Sequence, residues 1–375
     1  MTENLTTDFI QNLQASVSAF MPESMLVLTL LAALTADIIF KKVKNIAGIF
    51  GLIGFIVTGY FLYTQNTAAP GSIFSEMLAV DPFGQFFKFI ILITSFIIIL
   101  MSFFSKELYE NGNTMGEYFA MIIGMTLGMF LLTSATNLIM IYVSIEIMSL
   151  SSYILAGYTK QVKRASEASL KYVIYGSVSS GLMIWGISIM YGLTGSLNLY
   201  EINAVLNAGT TDLVPLLISI LMIVAGFGYK ISAVPFHFWT PDVYEGAPVT
   251  VTAYLSVASK AAGFAVLLRF VKIGFIDGTP DANNHWVVLE SIDWGFILSV
   301  LAVLTMTIGN LVALWQENVK RMLAYSSIAH AGYMLMGLVV MDEVGITAIM
   351  VYFIYYLFMN IGAFMYVMLD RKSVV

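Results

Sequence analysis

The stretch Val224-Ala-Gly-Phe-Gly-Tyr-Lys-Ile-Ser-Ala-Val-Pro-Phe-His-Phe-Trp239 decides the fold. It reads as the inner part of an apolar helix that breaks. Pro235 removes a helix hydrogen bond, and Gly226 and Gly228 loosen the preceding turn. In lipid, such a break survives only where it is buried in protein or lines a wet cavity. Discontinuous helices of this kind mark ion sites in transporters. A simple proline kink is the plainer alternative. Lys230 lies within the stretch and His237 near its end, so the break carries ionisable groups.

Outward from it, the sequence is apolar almost throughout. Of 375 residues, 59% are hydrophobic and 11% charged, against about 25% charged in a soluble domain. A spanning helix needs about 20 apolar residues. Eleven segments qualify: 22–40, 46–64, 86–104, 118–135, 138–158, 168–191, 214–239, 249–271, 296–315, 322–341 and 346–369. The longest connections run through Gln65–Gln85, Gly192–Leu213 and Lys272–Gly295. The expected class is all-α, a polytopic bundle of about eleven membrane helices in one domain, 1–375, with the seventh helix broken.

Several functions fall away. A net charge of −6 argues against nucleic-acid binding. Cysteine is absent, so disulfides, thiolate zinc sites and Cys-ligated iron–sulfur clusters are excluded. There is no phosphate-binding loop and no dinucleotide fingerprint between a strand and a helix. A bis-His haem requires His237 and His330 to meet. No metal site and no bound cofactor is expected. Residues 1–20 hold Glu3 and Asp8 but no Lys or Arg, so they lack the basic start of a signal peptide.

Basic residues set the orientation, because cytoplasmic loops are rich in Lys and Arg. Lys41, Lys42, Lys44, Lys106, Lys160, Lys163, Arg164, Lys320, Arg321, Arg371 and Lys372 fall on one side; Lys88, Arg269 and Lys272 fall on the other. The expectation is an external N-terminus and, with eleven spans, an internal C-terminus.

A charge near mid-bilayer costs several kcal/mol and usually faces the bundle interior. From the inner ends of their spans, at 1.5 Å per residue, Glu146 lies about 18 Å deep, Lys260 about 17 Å, Lys230 about 14 Å and His330 about 12 Å, with Lys171 shallower at about 9 Å. His237 sits near the inner mouth. Four groups at one level on different helices form a line parallel to the membrane plane, which suits a lateral chain of proton sites. Burial lowers the pKa of a lysine, and a nearby carboxylate raises it. Plainer readings stand beside this one: a static Glu146–Lys230 pair, a snorkelling Lys171, a satisfied core His330 and a capping His237. Ser149, Ser151 and Ser152 are expected to allow close helix contact.

With Tyr229-Lys-Ile-Ser-Ala-Val-Pro-Phe-His-Phe-Trp-Thr-Pro-Asp-Val-Tyr-Glu-Gly-Ala-Pro248, three further stretches form a recognisable set. They are Ser144-Ile-Glu-Ile-Met-Ser-Leu-Ser-Ser-Tyr153, Ala165-Ser-Glu-Ala-Ser-Leu-Lys-Tyr172 and Lys320-Arg-Met-Leu-Ala-Tyr-Ser-Ser-Ile-Ala-His330. Together they resemble the antiporter-like subunits of respiratory complex I. The Val-Tyr-Glu-Gly-Ala-Pro ending and Ser259-Lys260 are most similar to the N-type of bacterial NADH–quinone oxidoreductase. The resemblance covers about residues 20 to 370.

It implies a proton-translocating subunit built from inverted five-helix repeats: N-terminal helices in 1–110, a first repeat in 117–271 and a partial second repeat in 294–375. Glu146 would pair with Lys230, and Lys260 would be the central lysine. Lys171 and His237 would join the path, and His330 would hold the position corresponding to Glu146. Implied partners are the lipid bilayer, protons and the other membrane subunits of complex I. FMN, iron–sulfur clusters and quinone would belong to partner subunits. The family pattern has about fourteen helices, so the expectation is a chain truncated at its C-terminus. Two rival readings remain: a subunit of a sodium/proton antiporter, whose sodium site would need hard oxygen ligands, and a passive membrane scaffold.

Overall fold

The computed structural model describes residues 2–40, 43, 45–65, 67, 71–110, 115–209, 211–276, 286–287 and 292–370. Lys41, Lys42, Lys44, His285, Arg371 and Lys372 lie outside these. In chain order the helices are α1 (Thr2–Ala19), α2 (Met21–Ile39), α3 (Ile46–Thr64), α4 (Pro82–Phe104), α5 (Lys106–Tyr109), α6 (Met115–Ser134), α7 (Leu138–Ala156) and α8 (Lys163–Thr194). There follow α9 (Leu199–Asn207), α10 (Leu213–Ile231), α11 (Trp239–Gly246), α12 (Val249–Tyr254), a π-helical turn Leu255–Ser259, α13 (Lys260–Gly274), α14 (Trp294–Ala313), α15 (Val319–Val339) and α16 (Glu343–Leu369).

Among the described residues, eleven helical segments are long and apolar enough to span a membrane, and they coincide with the eleven read from hydropathy. The eighth, Val249–Gly274, is buried by the others along all but its last turn. It is therefore the axis of the bundle. The ninth, Trp294–Ala313, is the least buried.

Connections carry structure that hydropathy does not reveal. Residues 65–85 contain a hairpin, β1 (Gly71–Ile73) paired antiparallel with β2 (Leu78–Val80). Helix α9 fills the connection between α8 and α10. Part of the third long connection, 277–285 and 288–291, lies outside the described residues. Helix α1 precedes the first span. Its apolar residues are diluted by polar ones, so a span-length window does not detect it.

The seventh span breaks earlier than Pro235 suggests. Helix α10 ends at Ile231, and Ser232 turns left-handed at φ 63°. The Ala233 amide reaches back to Gly228 O at 2.8 Å, closing the helix end as in a Schellman motif. Gly226 and Gly228 are not loose points. Both lie inside α10, where an added Cβ would meet Met183 Sδ or the Phe236 ring at 2.6 Å. They admit close neighbours. The bared polar groups of the break are met by distant side chains: the Val234 amide donates to Thr305 Oγ1 at 3.0 Å, and Thr240 Oγ1 donates to Ser232 Oγ at 2.8 Å. Trp239 Nε1 donates to Tyr229 O at 3.0 Å. The chain then re-enters a helix as α11 rather than continuing the span.

Candidate functional site: buried lysines around the broken helix

Lys230 lies in the last turn of α10. The carbonyl end of a helix favours a cation, so the break supplies a polar seat in an apolar bundle. Its side chain is buried, and Nζ donates to Ser149 Oγ at 3.0 Å. The nitrogen also stands 5.9 Å over the Tyr172 ring, which stacks on Trp239 at 4.4 Å. Glu146 precedes Ser149 by three residues on α7, hence on the same helix face. Its carboxylate accepts from the Ser180 hydroxyl. The expected direct pair is thus not formed: among the described residues no salt bridge joins Glu146 to Lys230. Lys230 takes Ser149 instead, so this serine does more than let helices approach.

Lys260 begins α13, immediately after the π turn. Its ammonium donates to Ser327 O at 2.6 Å and Ser327 Oγ at 3.0 Å. His330 lies one turn along α15 from Ser327. Its Nδ1 is hydrogen-bonded to the Tyr352 hydroxyl, and its ring packs between Tyr333 and Tyr356, with centroids at 5.5 and 5.4 Å. The helix that carries Lys260 packs on the Lys230 turn at Gly263, one turn beyond Lys260. An added Cβ there would lie 3.7 Å from the Lys230 Cβ. Glu146, Lys230, Lys260 and His330 therefore string across α7, α10, α13 and α15.

Two expected members sit elsewhere. Lys171 bridges Glu167 and Asp242, both at 2.7 Å, and is half-exposed. It belongs to an ionic cluster in which Arg321 reaches Asp242 at 2.6 Å and Glu245 at 3.1 Å, with Arg164 3.9 Å from Glu245. These residues line a cavity of about 230 Å³ beside α11. Burial raises the Asp242 carboxyl, but its bonds to Lys171 and Arg321 outweigh this and hold it below the usual carboxylate range. His237 lies between α10 and α11, buried, its ring 4.5 Å from Phe238; its Nδ1 has no hydrogen-bond partner among the described residues.

Three cations that the charge pattern places at the two membrane faces are inside the protein. Lys88 is 3% exposed and paired with Glu23, itself 2% exposed, at 2.6 Å, because α4 starts at Pro82 and carries Lys88 inward. Arg269 clasps Asp81 through two bonds of 2.7 and 2.9 Å. Burial raises Asp81 and the Arg269 contacts lower it further, leaving it depressed. Lys320 is 2% exposed and donates to Ala247 O at 2.6 Å.

The buried cations thus divide. Lys88 and Arg269 are matched by carboxylates. Lys230, Lys260 and Lys320 rest on hydroxyl or carbonyl oxygens, and no described carboxylate forms a salt bridge with any of them. A matched ion pair is held charged. A buried lysine without one can exist as ammonium or free amine, which is the property a proton carrier needs. Among the described residues no cluster of His, Asp and Glu is arranged to hold a metal.

The transmembrane family of NADH:quinone oxidoreductases and Mrp antiporters matches residues 135–374, more than half of the chain. The chain is similar to NADH-quinone oxidoreductase subunit N 2 of Chloroherpeton thalassium, 48% identical over 98% of this chain and 71% of that one. Subunit N of Chlorobium chlorochromatii is 46% identical over 96% of this chain and 70% of its own. Respiratory complex I from Thermus thermophilus contains a chain with TM-score 0.74 and 28% identity, covering 92% of this chain and 69% of that chain.

Proposed function

We propose a proton path for this chain from the premise that it belongs to the NADH-quinone oxidoreductase subunit N family, the antiporter-like, proton-translocating membrane subunits of complex I. The path runs laterally from Glu146 through Lys230 and Lys260 to His330. The observation that carries it is the pair of 1%-exposed lysines on the packed helices α10 and α13, each donating to a serine and in no salt bridge with a described carboxylate. Each ammonium donates to a neutral oxygen. When Lys230 swings from Ser149 toward Glu146, the carboxylate favours the charged form; on return to Ser149 the proton is more easily passed to Lys260. Ser327 and the Tyr244 and Tyr356 hydroxyls, both buried and without hydrogen-bond partners among the described residues, offer polar stations toward His330.

Lys171 serves at the mouth of the path: with Asp242, Arg321 and Glu245 it tethers α11 to α8 and α15. His237 lies above this mouth. The same reading sets the N-terminus outside a bacterial inner membrane, reads 117–271 and 294–375 as related repeats, and leaves FMN, iron–sulfur clusters and quinone to partner subunits of complex I. Glu146→Gln in the assembled complex tests the path. Proton pumping is expected to fall strongly, with Glu146→Asp retaining part. Full pumping in Glu146→Gln would leave Glu146 a packing role only.

A further inference from the structure

We infer that a ladder of buried hydroxyls between α4, α6 and α12 conducts protons to Lys260 from the end of the bundle where Glu107 and Lys320 lie. This rests on the reading of Lys260 as a relay, and it bypasses Lys230.

Six hydroxyl side chains with no exposed surface form two triads, each joining the same three helices. In the first, Tyr118 Oη meets Ser102 Oγ at 3.0 Å and Thr250 Oγ1 at 2.8 Å. In the second, Tyr254 Oη meets Ser95 Oγ at 2.9 Å and Thr126 Oγ1 at 2.7 Å, and Thr126 donates to Ser95 at 3.0 Å. The order along the helices is consistent. Ser102, Tyr118 and Thr250 lie where α4 ends and α6 and α12 begin; Ser95, Thr126 and Tyr254 lie deeper. The tiers are four residues apart on α12, about 6 Å of helical rise, and seven apart on α4, about 10 Å, so the ladder needs more than one bridging water between them.

Packing alone does not require these bonds. Ser95, Ser102 and Thr126 each have a carbonyl four residues back on their own helix, at 2.7 to 2.8 Å. Each of these three hydroxyls therefore has an alternative acceptor. In the Tyr118 pairs, and where Tyr254 meets Ser95 and Thr126, either oxygen can be the donor. The direction of donation can reverse with no heavy atom moving, which is what a proton wire must do between transfers.

Both ends of the ladder are equipped. At its foot the first amide of α12, Val249 N, donates to Glu107 Oε2 at 3.1 Å, and Lys320 reaches the Ala247 carbonyl two residues earlier. At its head α12 runs into the π turn with Ser256 and Ser259, directly before Lys260. Ser259 Oγ is buried and has no hydrogen-bond partner among the described residues. In one transfer each hydroxyl accepts a proton from the group below and releases its own to the group above. The net change is one proton taken from the foot and one N–H bond formed on the Lys260 amine.

The test compares Thr126→Val, which keeps the shape and removes the hydroxyl, with Thr126→Ser, which keeps the hydroxyl, and adds Tyr254→Phe. The initial rate of proton pumping during quinone reduction is measured in membrane vesicles holding the assembled complex, beside Lys260→Arg. Positioned proton transfer contributes about 10²–10⁴-fold, so Thr126→Val and Tyr254→Phe should lose about tenfold or more, with Thr126→Ser near the parent. Equal loss in Thr126→Ser and Thr126→Val would mark a packing role and overturn the ladder. Full pumping by both hydroxyl-free variants, with Lys260→Arg inactive, would also overturn it and leave the Lys260 relay standing. Normal pumping by Lys260→Arg would remove the relay itself, and the ladder with it.

Discussion

Replacing Lys260 by methionine separates carrying a proton from holding the bundle together. The ammonium makes two hydrogen bonds, both to Ser327. Losing a charged hydrogen bond costs roughly 1.5–3 kcal/mol. Against that stands the desolvation of a lone buried charge, an effective several kcal/mol, which an apolar side chain of similar length avoids. Ser327 Oγ keeps its bond to Ala324 O at 2.8 Å, so no new orphan is created there. The balance is close to zero or favourable, and Lys260→Met should assemble at parental yield while pumping nothing. Lys260→Arg is the complement. The neighbouring side chains Ala261, Ala262 and Phe264 are fully buried, so a bulkier head costs about 1–3 kcal/mol of overpacking. A guanidinium keeps its proton throughout, so charge survives and relay does not. The assay is proton uptake by vesicles during quinone reduction, beside the amount of assembled complex. A scaffold role predicts the opposite order, with arginine tolerated and methionine failing to assemble. Parental pumping by either variant would refute the relay.

Two further outcomes follow from the packing and the charge pattern. A Cβ on Gly176 would overlap the Tyr153 hydroxyl and approach Tyr229 Oη to 2.9 Å, so Gly176→Ala should destabilise the complex by about 1–3 kcal/mol. Thermal melting should show partial rescue when Tyr153→Phe is added, and an unchanged melt of the single variant would contradict the close packing. Lys163 and Asp212 are exposed at opposite ends of the bundle. In this cysteine-free chain an impermeant maleimide should label Asp212→Cys, not Lys163→Cys, from outside intact cells; the reverse pattern would invert the orientation.

The spans were legible because hydropathy is summed over some twenty residues, and no tertiary contact is needed to read it. Lys230 and Lys260 were legible for the same reason: a charge deep in an apolar run is conspicuous wherever it points. Partners were not. Ser149 is 81 residues from Lys230 and Ser327 is 67 from Lys260, and serines are too common in packed helices to announce themselves. Glu23 and Lys88 escaped because each lies near a span end, where a boundary shift of a few residues turns an interior charge into a loop charge. Asp242 and Glu245 were visible only as letters of a motif, since their role depends on α11 lying between α8 and α15. The two hydroxyl triads carried no sequence signal, because Ser, Thr and Tyr raise little alarm in a hydropathy window.

The π turn before Lys260 has a consequence for how one helix serves two neighbourhoods. An α-helix advances about 100° per residue, so the bearings of all its side chains are locked to one another. The wider turn at Leu255–Ser259 resets that phase midway. Below it, Thr250 and Tyr254 face α4 and α6; above it, Lys260 faces α15. The axial helix behaves as two dials on one shaft, each set to its own partners. Tightening the turn into a regular α-helical one would rotate one dial against the other while leaving every side chain chemically intact.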